Sequence, residues 1–323
     1  MAMKTKIQMP TRQTITEKAK ESIGRLLGRH AKPRRDVALV LSSGGARGLA
    51  HIGAIDALLA NGYHITSICG TSFGAVVAAM YATGHLEDFK TWMQTIDRKK
   101  ISALTDFKPG LSYFVKGHRI IEELAKISPD CDIETLPIPF ACIATDWKTG
   151  REVVFRKGSM WRAVRASISI PGTLEPIEMD GKILIDGGIT NPFPLNRVRR
   201  NKDDLLVGVN VSGHDYGSIW QRKEIAKQKA IQSNKVLQIL ARLFPDSRLP
   251  LINFYSLLDQ TVSIAIAQNA RRQIALTPPD ILVDIPMRRF SGNDYDKFEQ
   301  IRKLGEKKTE KILQAAPPVI SKN

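Results

Sequence analysis

The sequence predicts an α/β protein with three layers, in which helices cover both faces of a mostly parallel central sheet. Two consecutive units support this fold class, because each runs from an apolar strand through a glycine-rich turn into a helix. The first unit has its strand at 37–41 and its helix at 49–59; the second has its strand at 65–69 and its helix at 75–83. Continuously apolar strands are typical of parallel sheets, whose strands are buried on both faces.

Further strand and helix patterns extend this fold towards the carboxyl end of the chain. The hairpin signal Asp180-Gly181 joins two short strands at 176–179 and 182–185. The remaining predicted strands are 138–145, 152–155, 205–211 and 280–285. Helices are predicted at 159–167, 233–243, 252–275 and 294–313, and residues 85–136 are expected to be helical and surface-exposed.

One large domain with two appendages is expected from a length of 323 residues, since single hydrophobic cores stop growing at about 250–300 residues. We expect a basic arm at 1–35, the α/β domain at 36–315 and a short tail at 316–323. No apolar run reaches the ~18–20 residues that cross a bilayer, and the charged first residues lack the apolar stretch of a secretory signal. Three cysteines without metal-type spacing favour reduced thiols and a cytoplasmic location.

The formal net charge of +16 predicts attraction to anionic surfaces. Residues 1–35 hold ten Lys or Arg against two acids, Glu17 and Glu21. Apolar residues recur in this arm with helical spacing, at Ile15, Ala19, Ile23 and Leu26. Two interpretations stay open: a basic amphipathic helix that docks peripherally on an anionic membrane, or a helix packed on its own domain. Nucleic acid is not the expected partner, because the sequence lacks zinc spacings and aromatic-rich strand motifs.

The central candidate for catalysis is Ser72, in the sequence Gly-Thr-Ser-Phe-Gly at residues 70–74. A serine in G-x-S-x-G between a strand and a helix is typical of a nucleophile elbow. Gly70 and Gly74 remove side chains that would clash in so tight a turn. The helix N-terminus behind Ser72 offers unpaired N–H groups to developing negative charge. The alternative is a Gly/Ser turn that only leads into a packed helix.

The loop at residues 43–48, Ser-Gly-Gly-Ala-Arg-Gly, has two interpretations. As a dinucleotide-binding turn it would need glycine at the position of Ser43 and an acid at the end of the next strand, where the chain has Cys69-Gly70. As an oxyanion hole, its successive glycine N–H groups would bind the oxygen of a tetrahedral intermediate. The oxyanion interpretation is favoured, because it requires neither of the missing residues.

Asp186 is the candidate base, at the end of the second hairpin strand and directly before Gly187-Gly188. A carboxylate beside a serine could orient the hydroxyl and accept its proton, and the glycines would permit close approach. An ordinary aspartate, with a pKa of about 3.9, is a weak base for an alcohol. A short hydrogen bond in a desolvated pocket would have to compensate. Alone, an Asp-Gly-Gly sequence is usually only a turn.

In this order, the motifs G-G-x-R-G, G-x-S-x-G and D-G-G resemble those of the patatin-like phospholipase family. The resemblance continues in residues 166–172, Ala-Ser-Ile-Ser-Ile-Pro-Gly, and in the D-G-G-x-x-N-P sequence at 186–192. It extends over about residues 37–313 and is nearest to compact bacterial members and to the catalytic domain of neuropathy target esterase.

The resemblance implies a serine lipid acyl hydrolase in which Ser72 is the nucleophile and Asp186 the activating base. The substrate would be a lipid or another fatty-acyl ester, and no metal or organic cofactor would be required. The residues implied in the oxyanion hole or its bracing are Gly44, Gly45, Arg47 and Gly48, with Ser43 at the start of the loop. Ser43 departs from the family pattern, which has a glycine there, so its share in the oxyanion hole is open.

Three alternatives stay open. An ordinary Ser-Asp-His triad would need a histidine after Asp186, and only His214 follows it. The dyad is favoured over this triad, because His214 stands in a polar loop without an orienting motif. The same dyad could also transfer the acyl group to a second lipid, as a transacylase. Finally, a non-catalytic α/β protein could use the same loops to bind a nucleotide or a lipid.

Overall fold

The computed structural model describes residues 35–104, 117–213 and 254–315. Residues 1–34 of the predicted basic arm, the predicted helix at 233–243 and the tail at 316–323 lie outside these ranges. Eight strands of the described residues form one sheet. They are β1 (Asp36–Leu41), β2 (His64–Thr71), β3 (Phe140–Asp146), β4 (Glu152–Phe155), β5 (Ile177–Met179), β6 (Lys182–Asp186), β7 (Leu205–Gly213) and β8 (Ile281–Pro286).

Helices connect and cover these strands. They are α1 (Leu49–Ala60), α2 (Phe73–Ala82), α3 (Leu86–Gln94), α4 (Arg98–Leu104), α5 (His118–Ile127), α6 (Met160–Ser167), α7 (Phe254–Leu276) and α8 (Phe298–Ala315). Short 3₁₀ turns occur at Gly45–Gly48, Ile133–Thr135, Gly187–Ile189, Met287–Arg289 and Tyr295–Lys297. Of the helices in the described ranges, none combines the length and the apolar character needed to span a bilayer.

The sheet confirms the predicted α/β fold with a mostly parallel centre. Backbone hydrogen bonds link the strands in the order β5-β6-β3-β2-β1-β7-β8, and β4 also pairs with β3. Strands β3, β2, β1, β7 and β8 run parallel, whereas β4, β5 and β6 are antiparallel additions. The crossovers from β1 to β2 and from β7 to β8 proceed in opposite directions along the sheet. Because such crossovers are right-handed, α1 and α7 lie on opposite faces, which gives three layers.

Strand β3 pairs with three other strands, and the register of these pairings decides where β2 and β6 end along β3. Its residues 140–143 pair with β2, and its residues 144–146 pair with β6. Strand β4 pairs with residues 142–145, along both stretches. A strand residue has only one partner on each edge, so β4 occupies one edge of β3 while β2 and β6 follow each other along the other. The carboxyl ends of β2 and β6 therefore meet head to head.

The element boundaries differ from the sequence-based expectations by at most four residues, and one difference matters for function. The predicted strand at 65–69 continues as β2 to Thr71, because Gly70 and Thr71 pair with Cys142 and Ile143 of β3. A glycine is a poor strand former by itself, so this extension depends on the neighbouring strand. It carries the sheet up to the residue that precedes Ser72.

Helices α1 and α8 cross with their backbones in contact. A Cβ atom added to Gly53 would overlap the carbonyl oxygen of Arg302, and one added to Gly305 would overlap the carbonyl oxygen of Ala50. Glycine at both positions is therefore a packing requirement. The crossing fixes α1, which begins directly after the 3₁₀ turn at Gly45–Gly48.

We predict that Gly53→Ala lowers the free energy of unfolding by about 1–3 kcal/mol, as expected for overpacking in a filled interior. In an unobstructed helix the same change raises stability by about 1 kcal/mol, so the sign of the effect is informative. Urea denaturation followed by circular dichroism measures it. A variant as stable as the wild type would show that the two helices do not approach so closely.

Candidate functional site

Ser72 lies alone between β2 and α2, in a backbone conformation that side chains rarely adopt. Its φ is 55° and its ψ is −129°, and in the described part of the chain only Asp180 shares a positive φ among non-glycine residues. Such a conformation costs about 1–3 kcal/mol, so the surrounding structure must impose it. The turn holds the Ser72 side chain above the end of β2.

The two glycines of the motif make this turn possible. A Cβ atom on Gly70 would overlap the carbonyl oxygen of Gly74, and one on Gly74 would lie 2.6 Å from the carbonyl oxygens of Leu41 and Ser42. Both positions are thus closed to any larger residue. Through Gly74, the first turn of α2 also rests against the end of β1, where the glycine loop begins.

The hydroxyl of Ser72 donates a hydrogen bond to Asp186, with 2.5 Å between Oγ and Oδ2. Both side chains are buried, with 2% and 3% of their surface exposed. The contact follows from the sheet register: Thr71, the last residue of β2, lies opposite Ile143, and Asp186, the last of β6, lies opposite Ala144. Residues 114 positions apart in sequence are brought together because their strands end at adjacent residues of β3.

The Asp186 carboxylate is held from the other side by its own turn. Oδ1 accepts a hydrogen bond from the Gly188 N–H at 2.6 Å, and the Asp186 carbonyl accepts one from the Thr145 hydroxyl at 2.9 Å. A Cβ atom on Gly188 would lie 2.9 Å from this carboxylate and from the Ser43 hydroxyl. A Cβ atom on Gly187 would overlap the Ile143 carbonyl oxygen, at 2.2 Å. Both glycines therefore permit the approach of the turn to β3 and to the glycine loop.

Burial changes the proton affinity of Asp186. Desolvation raises its pKa from 3.8 to about 6, against the opposing effects of the hydrogen bonds from the Ser72 hydroxyl and the Gly188 N–H. A carboxylate with this pKa is ionised at neutral pH, yet it is a stronger base than an exposed aspartate. The electrostatic environment thus supplies part of what a base for a serine hydroxyl requires.

The glycine loop presents its two central N–H groups differently from their neighbours. The Ser43 N–H is donated to the Pro192 carbonyl at 2.8 Å, and the Ala46 N–H to the Gly292 carbonyl at 2.7 Å. For Gly44 and Gly45, the ranges that the structure describes contain no acceptor of the N–H. These two N–H groups are therefore the ones available to a ligand, whereas the Ser43 N–H is occupied.

Several contacts fix the shape of this loop. Arg47 donates from Nε to the Gly44 carbonyl at 3.0 Å and from Nη1 to the Met287 carbonyl at 3.2 Å. Gly45 has a φ of 57°, which favours glycine. A Cβ atom on Gly48 would lie 2.7 Å from the ring of Phe73, so this glycine lets the residue after Ser72 pack on the loop.

The segment after Asp186 connects the glycine loop to the turn that carries Ser72. The Asn191 carbonyl accepts a hydrogen bond from the Thr71 hydroxyl at 2.9 Å, and the next carbonyl, of Pro192, accepts the Ser43 N–H. The Asn191 amide donates to Glu152 of β4 at 2.9 Å, and Arg197 holds that carboxylate in a two-point ion pair. The D-G-G-x-x-N-P sequence thus connects all three motifs.

Some residues of the site carried no separate signal in the sequence. The Ser167 hydroxyl accepts the Ser72 N–H at 2.9 Å, and the Ser169 carbonyl accepts the Asp186 N–H at 2.9 Å. Both lie in the segment 166–172 that resembles the family, but nothing in its sequence indicates these partners. The segment 287–295, which contacts the glycine loop, was not anticipated at all.

A histidine is the alternative to Asp186 as the base. His214 lies outside the described residues. Among the described residues, no histidine forms a hydrogen bond or an ion pair with Ser72 or Asp186. His51 is buried on α1, and burial lowers its pKa to about 4. It is therefore neutral and donates from Nε2 to the Ser42 carbonyl at 2.8 Å, which braces the start of the glycine loop.

The described residues contain no group of three or more His, Cys, Asp or Glu side chains arranged to hold a metal ion. The site consists of a buried hydroxyl and carboxylate and, on the neighbouring glycine loop, two backbone N–H groups without an acceptor in the described ranges. These groups suit nucleophilic attack by an alcohol on an ester, with stabilisation of the oxyanion that forms.

Comparisons with known proteins relate this chain to phospholipases. Residues 39–198 match the family model of patatin-like phospholipases. An uncharacterized NTE family protein of Mycobacterium tuberculosis is 29% identical, over 86% of this chain and 91% of that protein. Lysophospholipase NTE1 of Saccharomyces cerevisiae is 28% identical, over 83% of this chain but only 16% of the yeast protein. The crystal structure of VipD from Legionella pneumophila shares the fold, with a TM-score of 0.54 and 17% identity over 88% of this chain and 68% of VipD.

We predict that Asp186→Asn stabilises the protein in a pH-dependent manner. The raised pKa means that the folded state binds a proton more tightly than the unfolded state, so wild-type stability falls as the pH rises from about 4 through about 6. A pKa of about 6 in place of 3.8 corresponds to about 3 kcal/mol of lost stability above this range. The neutral amide avoids that cost. The variant should therefore exceed the wild type by up to ~3 kcal/mol at pH 8 and by little at pH 4.

Urea denaturation at both pH values measures this difference. Glu178→Gln, which neutralises an exposed carboxylate on the adjacent strand β5, is the matched control and should change stability little at either pH. An equal difference between Asp186→Asn and the wild type at pH 8 and pH 4 would contradict the assigned effect of burial.

Proposed function

This chain belongs to the patatin-like phospholipase family, and from that premise we propose that it is a serine lipid acyl hydrolase in which Ser72 and Asp186 form a catalytic dyad. The observation that carries the proposal is the 2.5 Å hydrogen bond from the Ser72 hydroxyl to the buried Asp186 carboxylate. No third side chain is needed to activate the serine.

The first half of the reaction forms an acyl-enzyme. Ser72 Oγ attacks the ester carbonyl carbon while its proton passes to Asp186 Oδ2. The carbonyl oxygen becomes an oxyanion that the Gly44 and Gly45 N–H groups receive, assisted by the N-terminus of α2. The tetrahedral intermediate then breaks its bond to the alcohol oxygen, which takes the proton from Asp186 as it leaves.

The second half returns the enzyme to its starting state. A water molecule gives a proton to Asp186 and attacks the acyl carbon bound to Ser72. The same N–H groups stabilise the second oxyanion. The intermediate collapses to a fatty acid, and Ser72 recovers its proton from Asp186. The two steps are chemically equivalent, so an alcohol group of a second lipid in place of water would make the same dyad a transacylase.

The loop residues have distinct parts in this proposal. Gly44 and Gly45 are the donors, Arg47 holds the Gly44 carbonyl, and Gly48 makes room for Phe73. Ser43 lines the site but is not a backbone donor, since its N–H already donates to the Pro192 carbonyl.

The substrate class follows from the family and from the name of one relative. The yeast relative is a lysophospholipase, so a lysophospholipid or another lipid carboxylic ester is the proposed substrate of this chain. Residues 36–315 would form the catalytic domain. The basic arm at 1–35 would serve peripheral contact with an anionic membrane from the cytoplasmic side, and the tail at 316–323 would have no part in catalysis.

We predict that Ser72→Ala lowers the hydrolysis of a short-chain nitrophenyl ester by at least about a thousandfold while the fold is retained, because removal of a nucleophile eliminates the covalent route. Fluorophosphonate labelling of the protein should disappear as well. Turnover, labelling and circular dichroism are measured side by side. Full activity in a folded Ser72→Ala protein would refute the assignment of the nucleophile.

Ser128→Ala is the matched control for this experiment. Ser128 is another buried serine, and its hydroxyl has no hydrogen-bond partner in the described part of the structure, so its loss should leave activity unchanged. Asp186→Asn should be nearly inactive, whereas His214→Ala should keep activity within about tenfold. The reverse pattern for Asp186→Asn and His214→Ala would replace the dyad with a triad.

We also predict the pH dependence of the reaction. The base must be ionised, and burial raises the pKa of Asp186 to about 6. The value of kcat/KM should therefore rise with pH, reach half of its maximum near pH 6, and be about tenfold lower at pH 5 than at pH 8. A profile with its midpoint near pH 4 would indicate a solvated carboxylate and would contradict the buried dyad.

A further inference from the structure

The segment from Met287 to Tyr295 follows β8 and covers the glycine loop from outside. Its Met287 carbonyl accepts a hydrogen bond from Arg47 at 3.2 Å, and its Gly292 carbonyl accepts the Ala46 N–H at 2.7 Å. The Gly292 carbonyl also lies where a side chain on Gly45 would be. This segment begins about 90 residues after the end of the family match at 198, yet it is in contact with the central motif of that match.

Tyr295 extends this contact to the nucleophile elbow. Its ring packs against the ring of Phe73, with the two centroids 5.5 Å apart and the planes inclined by 50°. Phe73 is the residue directly after Ser72 and also packs on Gly48 of the loop. A tilted aromatic pair of this kind is a favourable geometry. It fixes the position of the phenol beside the elbow.

The hydroxyl of Tyr295 has no hydrogen-bond partner among the described residues, although the side chain is half-buried. Burial and then the negative charge of Asp186 raise the pKa of Tyr295 to about 12, and the positive charge of Arg47 opposes them. The phenol is thus close enough to Asp186 and to Arg47 to be affected by both charges, while its ring lies against Phe73. At every pH at which the dyad would operate, it is protonated and able to donate.

We propose that Tyr295 is a further catalytic residue, whose hydroxyl donates a hydrogen bond to the oxyanion that forms when Ser72 attacks the ester. It would be a third donor beside the Gly44 and Gly45 N–H groups, supplied by the segment 287–295 from outside the matched region. The proposal rests on the proposed function, since it requires an oxyanion at Ser72. It goes beyond that function by assigning a side-chain donor.

The test uses the full chain and the substitution Tyr295→Phe, which keeps the ring on Phe73 and removes only the hydroxyl. Removal of one oxyanion donor typically costs about 10²–10³ in kcat. We expect kcat for a short-chain nitrophenyl ester to fall about a hundredfold with KM within about twofold, because the hydrogen bond strengthens only in the transition state. The rate of fluorophosphonate labelling should fall with kcat, and the free energy of unfolding should stay unchanged.

Tyr81→Phe is the matched control, since Tyr81 is another half-buried tyrosine, on α2, and should retain full activity. Tyr295→Ala should lose stability as well as activity, because it also removes the ring. An unchanged kcat in Tyr295→Phe overturns the proposal, and so does a loss confined to KM, which would place the hydroxyl against another part of the substrate. Full activity in Ser72→Ala overturns the proposed function itself, whatever Tyr295→Phe does.

Discussion

Strands β2 and β6 approach each other from opposite directions along one edge of β3, and both end where they meet. Thr71 lies opposite Ile143, and Asp186 lies opposite Ala144. Since side chains alternate between the faces of a sheet, a shift of either strand by one residue would turn its last side chain to the other face. The hydrogen bond between Ser72 and Asp186 therefore depends on the register of backbone hydrogen bonds in β3.

The site concentrates unfavourable features that the rest of the fold must stabilise. Ser72 has a strained backbone, and Asp186 is a buried carboxylate that is ionised at neutral pH with two hydrogen bonds. Surrounding contacts hold these groups in place: Ser167 and Ser169 bind their backbone N–H groups, and the central strands of the sheet are buried on both faces. The same desolvation that destabilises the carboxylate makes it a better base, so a cost in stability and a gain in basicity have one cause.

The glycine loop shows how elements distant in sequence complete a local motif. By itself, the sequence of residues 43–48 is compatible with binding a dinucleotide or an oxyanion. In the folded protein, Ser43 and Ala46 donate their N–H groups to Pro192 and Gly292. The two N–H groups that remain for a ligand belong to Gly44 and Gly45. Tertiary hydrogen bonds thus select which N–H groups of the loop are available.

The sequence by itself determined the fold class and the two strand–turn–helix units, because apolar periodicity and glycine turns act over a few residues. The order of its three motifs carried the resemblance to the family. The sequence also singled out Ser72 and Asp186 as candidates. Only the tertiary structure decided that β2 reaches Thr71 and that Tyr295 lies at the elbow. Such contacts join residues more than 70 positions apart, and no local pattern encodes them. They follow from strand register and from helix crossings such as that of α1 and α8, which form only when the whole sheet is assembled.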